Sequence, residues 1–463
     1  MTPPGAAAPE TALEIAERAL RHTAGEAQAT VMRERSLLSR FARSRPTQAT
    51  EVEDTMVAIL CVHDGHTGSA ETNDLSEDGL RDVAARAAAG ARAAASAAGA
   101  PGTYPGLPGP EPLPRHEGYD ASTAALDPAV AGDALRAAFA VCAERGLEAF
   151  GAWTAGAVET AIASTAGVRA ADAVTDAFMK VMARDGDGRS GWAGDAAVAA
   201  GALDPGLIAA RAAAKVTPAE PVALEPGEYP VVLEAEAVQD LLDFLGALAF
   251  NGLAHAEGRG ALVGRLGSRV AASAINLSDS PRYPRTLPRA VDLEGVPKRP
   301  IPLIQDGVAH AVVHDIRSAA RAGGGARSTG HATAPGGAGF GPHPTNLVLI
   351  GGGAADEHAL AASIERGLYV TRFWYVNPVH AKQTLLTGMT RDGTFLIEDG
   401  RIGRPLRDVR FTDSVLRILE ATEALSSAQR LVSTADFYGR RFATGVVCPA
   451  LRAGGFRITG QTV

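Results

Sequence analysis

The run Tyr229-Pro230-Val231-Val232-Leu233 passes without a spacer into Glu234–Phe250, where apolar residues recur at Val238, Leu241, Leu242, Leu245, Leu248 and Ala249. The first run reads as a short buried strand. The second has the 3.6-residue repeat of an amphipathic helix. This strand–helix unit opens the second half of the chain. The proline-rich Pro218–Pro226 just before it is the expected boundary between residues 1–220 and 221–463.

The first part is expected to be an α/β module. Thr11–His22 reads as an amphipathic helix, followed by strand-like runs at Ala27–Met32, Leu37–Ala42 and Met56–Val62. Asp64-Gly65 supplies a turn. Leu75–Ala98 reads as a long Ala-rich helix, with Ser76 as N-cap and Glu77 and Asp78 in its first turn. Gly99–Gly118, dense in Pro and Gly, reads as an extended connector. A helix at Pro128–Arg145 follows, then strand-like segments at Leu147–Thr154, Val158–Ser164 and Val168–Ala183, and a helical segment at Trp192–Ala214.

After Ala261 the texture changes. Short apolar runs alternate with the hairpin signals Asp306-Gly307, Asp392-Gly393 and Asp399-Gly400. Strands are expected at Ile301–Ile304, His310–His314, Leu347–Leu349, Leu368–Val376, Lys382–Met389 and Thr394–Ile397, with a closing helix at Ser414–Ala424. The fold class read from this is α+β, with a C-terminal domain of mostly antiparallel strands and few helices.

Composition narrows the function. A net charge of −8 with no basic run leaves no nucleic-acid footprint. Cys61, Cys142 and Cys448 are too scattered for a disulfide framework and fit a reducing cytoplasm. Met1–Glu10 lacks the basic and apolar regions of a signal peptide, and no apolar run is long enough to span a bilayer.

The order of short motifs resembles the TldD/PmbA (TldD/TldE) family of zinc-dependent peptidases and amide hydrolases. The resemblance is strongest over Glu225–Val463. After the strand–helix unit come Gly264-Arg265-Leu266-Gly267, Val291-Asp292-Leu293-Glu294-Gly295-Val296, Ile304-Gln305-Asp306-Gly307 and Ser328-Thr329-Gly330. Then come Pro344-Thr345-Asn346-Leu347, Gly351-Gly352-Gly353, Gly367-Leu368-Tyr369-Val370, Leu386-Thr387-Gly388 and Phe395-Leu396-Ile397-Glu398-Asp399-Gly400. Each is a common turn-bearing motif; their order and spacing are what resemble the family. In the catalytic branch the helix carries H-E-x-x-x-H. Here the comparable positions are Asp243, Phe244 and Leu248, and Phe and Leu cannot ligate zinc. The chain therefore resembles the TldE/PmbA branch. That implies no cofactor in this chain, zinc in a TldD-like partner, a heterodimer or a homodimer, and a peptide or amide substrate.

The remaining candidates have competing readings. Ser328, Thr329 and Gly330 lie in the Gly-rich segment Gly323–Gly341, which could admit a substrate backbone or be a plain loop. With Asn346, Thr387 and Gly388 they are the substrate-cavity candidates. Asp292 and Glu294 read as a solvated turn with capping carboxylates, or as a partner-contacting loop. On a strand, His310 and His314 would stand about 13 Å apart, too far to share an ion. His255 with Glu257 lacks a second His at helical spacing. Cys448, in Cys448-Pro449-Ala450-Leu451, reads as a buried thiol rather than a ligand. A self-sufficient hydrolase built on His255, His310 or His314, and a non-enzymatic scaffold, stay open as alternatives. No phosphate-binding loop or nucleophile elbow occurs.

Overall fold

The computed structural model describes residues 10–433 and 439–461; Met1–Pro9, on which most of the expectation about a leader rests, lie outside them. Two sheets organise the chain. The first has six strands: β1 (Glu26–Ala42), β2 (Arg45–His63), β3 (His66–Thr72), β4 (Glu148–Ser164), β5 (Arg169–Arg184) and β6 (Ser190–Ala197). They run in the order β3-β2-β1-β4-β5-β6, and every neighbouring pair is antiparallel.

Helices α1 (Ala12–Leu20), α2 (Glu77–Ala98), α3 (Ala121–Ala124), α4 (Pro128–Glu144) and α5 (Pro205–Ala213) accompany this sheet. Thr11 caps α1 in a capping box, and Ser76 caps α2, each satisfying amide groups the helix leaves open. Ala27, Ala29 and Val31 of β1 pack with α1 and α2, while Trp153 and Ala155 of β4 pack with α4 and α5. The alternate residues face the other way. Met32, Met56, Val158 and Val174 meet Leu293 from the second half of the chain. Both faces are therefore covered.

Pairing on both edges explains two corrections. The separate runs in Ala27–Ala42 are one strand, because Arg33–Ser36 pair on both sides, with β2 and with β4. Leu147–Thr154 and Val158–Ser164 are likewise joined, through Gly156, in β4. A third correction concerns Trp192–Ala214. Its first part is strand β6, in register with β5 from Ser190↔Arg184 to Ala197↔Ala177. Sheet pairing overrides the helix preference of its alanines, and only Pro205–Ala213, capped by Asp204, is α-helical. Gly99–Gly118 has no regular structure beyond the end of α2, as expected of a connector.

The second sheet begins with β7 (Gly227–Leu233), which leads into α6 (Ala235–Ala249) and α7 (Gly252–Ala256). Then follow β8 (Leu277–Asp279), β9 (Ile301–Gln305), β10 (Val308–Ala309), α8 (Ile316–Ala322), β11 (Asn346–Leu349) and α9 (Glu357–Ala361). The rest comprises β12 (Arg366–His380), β13 (Leu385–Glu398), β14 (Arg401–Pro405), β15 (Val409–Ser414), α10 (Val415–Glu420), β16 (Thr422–Val432) and β17 (Gly445–Gln461). The order is β10-β9-β8-β11-β17-β15-β13-β12-β7, with β14 on β13, β16 on β17 and a further β17–β7 pairing. That last pairing closes β7, β12, β13, β15 and β17 into a ring. Among the described strand pairs of this sheet, only β11–β17 and β12–β7 are parallel. Phe373, Phe411 and Phe456 pack together at centroid distances of 4.5, 5.2 and 5.9 Å, in the same core as Leu241, Leu242 and Leu245 of α6.

Three expectations for this half change. His310–His314 is not a strand: Val313 alone makes a bridge there, to Asn251. Asp392-Gly393 is no hairpin but a kink inside β13, with φ of 54° and 129°, where the pairing with β12 shifts register. The helix in Ser414–Ala424 is shorter, Val415–Glu420, and does not close the domain, since β16 and β17 follow. Asp306-Gly307 and Asp399-Gly400 are turns between paired strands, with both residues at positive φ.

Candidate functional site

Helix α6 presents two faces. Val238, Leu241, Leu242 and Leu245 enter the core. Glu236, Gln239, Asp240 and Phe244 turn instead to a cavity of about 460 Å³. Its other walls are Phe150, Phe178 and Lys180 of the first sheet, Trp192 of β6, and Arg372–Val376 of β12. Trp374 and Tyr375, 42% and 76% exposed, mark its mouth.

The acidic groups on this face differ in their partners. Glu236 is 3% exposed. One of its carboxylate oxygens accepts from Arg430 and lies 3.5 Å from Arg211; the other has no hydrogen-bond partner. Asp240, one turn later and half-buried, is pushed up to about 7 by burial, against the pull of Arg372, with Asp243 adding to the rise. The Phe373 backbone N–H donates to it. Arg372 itself is held by Asp392 at 3.0 Å and lies between the rings of Trp192 and Trp374, at 5.4 and 5.3 Å. Beneath this, Lys215 donates to Glu234 at 2.8 Å, and the Tyr369 hydroxyl donates to the same carboxylate.

The expected cavity residues fall elsewhere. Ser328 and Thr329 wrap the His314 backbone: both hydroxyls donate to its carbonyl, at 3.2 and 3.1 Å, and Thr329 accepts its N–H at 2.8 Å. Gly330 sits at φ +77°, packed on Pro297 and Lys298. Asn346 is buried and donates to the Leu287 carbonyl at 2.6 Å. The Thr387 hydroxyl donates to the Phe411 carbonyl, and Gly388 lies against the Phe411 ring. The structure thus groups Ser328–Gly330 in one turn and leaves Asn346, Thr387 and Gly388 apart; none of the six lines the 460 Å³ cavity.

The zinc positions do not fit the metal. Asp243 lies 3.3 Å from His343, Phe244 faces the cavity and Leu248 packs on the core. Among the described residues no three His, Cys, Asp or Glu side chains form a metal-binding group. Cys448 is buried and donates to the Ala235 carbonyl at 3.2 Å; burial pushes its thiol up to about 12. His255 and His314 are both pushed down by burial.

Asp292 and Glu294 are not solvated, because the Gly295 turn inserts against Ile162 of β4 and Val168 of the β4–β5 turn. Asp292 does cap the turn, accepting the N–H groups of Glu294, Val296 and Ala332. Glu294 accepts the Ile316 N–H at 2.9 Å, and its other oxygen has no partner. Burial, with Asp292 and Asp315 nearby, raises it well above the usual carboxylate range. A raised folded value stabilises fully below the unfolded value, and this is lost as pH rises through the folded one. Glu294→Gln is therefore expected to be more stable than the parent by a margin that widens from pH 5 to pH 8. Urea melts at both pH values measure it; a constant margin would rule this out.

Sequence reasoning missed Glu236, Asp240, Arg372, Trp192 and Trp374. The available signal was the i,i+4 spacing of Glu236 and Asp240. A polar helix face ordinarily points to water, so that spacing alone does not mark a cavity.

The signature of the PmbA/TldA metallopeptidase C-terminal domain matches residues 226–460, and that of PmbA/TldA metallopeptidase domain 1 matches residues 27–91. No curated protein matches the sequence. TldE from Thermococcus kodakarensis has a similar structure, with a TM-score of 0.84 at 20% identity over 97% of this chain and 100% of that one. A protein described as a candidate modulator of a DNA gyrase from Thermotoga maritima gives 0.80 at 20% identity, over 94% and 96%. A similarly described protein from Bacteroides thetaiotaomicron gives 0.77 at 18%, over 97% and 98%. With a matching signature over half its length, the chain belongs to the TldD/PmbA family.

Proposed function

We propose that this chain is the TldE-like, non-metal subunit of a two-chain zinc-dependent peptidase or amide hydrolase. Its zinc would sit in a TldD-like partner whose substrate cavity this chain completes. The observation that carries this is α6. Asp243, Phe244 and Leu248 stand at the comparable positions to the zinc motif, paired to His343, facing the cavity and packed on the core respectively. The likeness in fold to a protein titled TldE supports the same reading.

In this arrangement the partner supplies metal, water and base. Zinc, when bound there, polarises the scissile carbonyl. This chain binds the peptide or amide substrate, orients it and excludes bulk water. Ser328 and Thr329 are its candidates at the Gly-rich segment. The division at residue 220, a cytoplasmic location, and a role in peptide maturation, degradation or natural-product biosynthesis belong to the same proposal. No described helix is long and apolar enough to cross a membrane.

Co-expression with an H-E-x-x-x-H-bearing relative, read by light scattering and elemental analysis, is the test. A one-to-one pair is expected, with zinc retained when His255, His310 or His314 is changed to Ala and turnover little altered. A monodisperse monomer that ignores the relative would refute the pairing. Loss of turnover from one histidine substitution in a zinc-loaded pair would show that this chain contributes a catalytic group.

A further inference from the structure

We propose that the cavity beside α6 is a receptor for an amphiphilic primary amine: an aromatic or apolar body carrying one ammonium group that sits against Glu236 and Asp240. This deepens the subunit reading by naming a ligand class, and it rests on that reading for its biological use. Binding is tested on the chain without its partner, so assembly and ligand recognition can fail separately.

Charge selects the cation. Glu236 and Asp240 lie one turn apart on the cavity face of α6. Glu236 keeps a carboxylate oxygen with no partner although the residue is 3% exposed. A buried acceptor left unmade is costly, and a donor that completes it recovers that cost. Asp240 accepts a backbone N–H but makes no ion pair among the described residues. The nearby cations are already committed. Arg372 is held by Asp392, Arg430 by Glu236, and Lys180 has an interaction of its own. An ammonium group brings donors for the unpartnered Glu236 oxygen and a counter-charge for Asp240, which no described ion pair supplies.

The walls select the body. Seven of the seventeen lining residues are aromatic, in a chain that is only 5% aromatic. Two of the three tryptophans, Trp192 and Trp374, stand here. Their rings already flank the Arg372 guanidinium, so the cavity is built of faces that attract positive charge. A volume of about 460 Å³ suits one amino-acid side chain with its amine and a short extension. Either the free N-terminus of a peptide with an aromatic first residue or a free arylalkylamine has this chemistry.

Titration calorimetry on the purified chain is the test, with four probes. These are phenylalaninamide, neutral N-acetylphenylalaninamide, anionic N-acetylphenylalanine, and the peptide Phe-Ala-Ala amide. Phenylalaninamide should bind saturably, with both acetylated probes about tenfold weaker or worse. Asp240→Asn should lower the affinity for phenylalaninamide by about tenfold and leave the neutral probe unchanged. The comparison among probes on the unaltered chain needs no variant, so it stands even if Asp240→Asn misfolds. A peptide that binds at least as well as phenylalaninamide assigns the cavity to peptide N-termini; a much weaker one assigns it to small amines. Either result supports an amine receptor. Equal binding of the neutral probe, tighter binding of the anion, or no saturable binding of phenylalaninamide would overturn it. So would a folded Asp240→Asn with unchanged affinity for phenylalaninamide.

Discussion

Replacing Arg441 with Ala is expected to lower the unfolding free energy by about 3–5 kcal/mol. Arg441 is 1% exposed and Asp176 2%. The guanidinium donates to both carboxylate oxygens of Asp176 at 2.7 Å, and to Thr154 at 2.9 Å. These partners lie on β4 and β5, on the face of the first sheet turned away from its helices. The Arg441 backbone N–H also donates to Glu34 of β1. Gly156 clears the space, since a Cβ there would stand 2.7 Å from the Arg441 side chain. Removing the arginine leaves a buried carboxylate without its cation, which costs more than the intact pair contributes. The effect should appear as a lower urea midpoint with little change in slope. Changing Arg441 and Asp176 together to apolar residues of similar volume should recover most of the loss. A single-variant loss below about 1 kcal/mol, the range of surface pairs, would mean that water reaches this bond.

Gly330→Val is expected to cost about 2–6 kcal/mol, from backbone strain and overpacking together. At φ +77°, a Cβ would lie 2.5 Å from the Pro297 carbonyl oxygen and 2.8 Å from the Lys298 Cα. Both contacts are backbone and cannot swing aside. The glycine therefore lets two backbone segments touch, and lost turnover in this variant would report a damaged fold rather than a lost substrate contact. Thr329→Ala is the milder probe of the same turn. It removes one hydroxyl that bonds His314 twice, at about 1–2 kcal/mol. Thermal melts should order the proteins as parent, Thr329→Ala, Gly330→Val. A Gly330→Val chain that melts with the parent would show that the Pro297 segment yields.

Local signals predicted the elements they govern. The period in Glu234–Phe250 marked α6 to within a residue at each end, Ser76 marked the start of α2, and Asp399-Gly400 marked a hairpin. Elements decided by distant partners were unreadable. The strand at Ser190–Ala197 exists because β5 lies beside it, and Arg33–Ser36 stay extended because two neighbours hold them. At Asp392-Gly393 the usual hairpin pair is spent on a kink that aims Asp392 at Arg372 and Ser190. The cavity was the least legible feature. Its walls come from residues as far apart as Phe150 and Ser433. Glu236 and Asp240 have the sequence character of a wet helix face, and only the first sheet, folded back across α6, turns that face inward.

The pairing pattern of β17 also sets a timetable for synthesis. This strand bonds β7, β11, β15 and β16 and closes the ring. The first sheet is complete once β6 has left the ribosome, so it can form while translation continues. The second cannot. Strand β7 emerges roughly 200 residues before β17, a wait of roughly 10–40 s at ordinary elongation rates. Strand β12, which pairs with β7, is made partway through that interval, but the ring stays open until β17 emerges. Until then the finished first sheet, which stands across the cavity face of α6, is the cover already made.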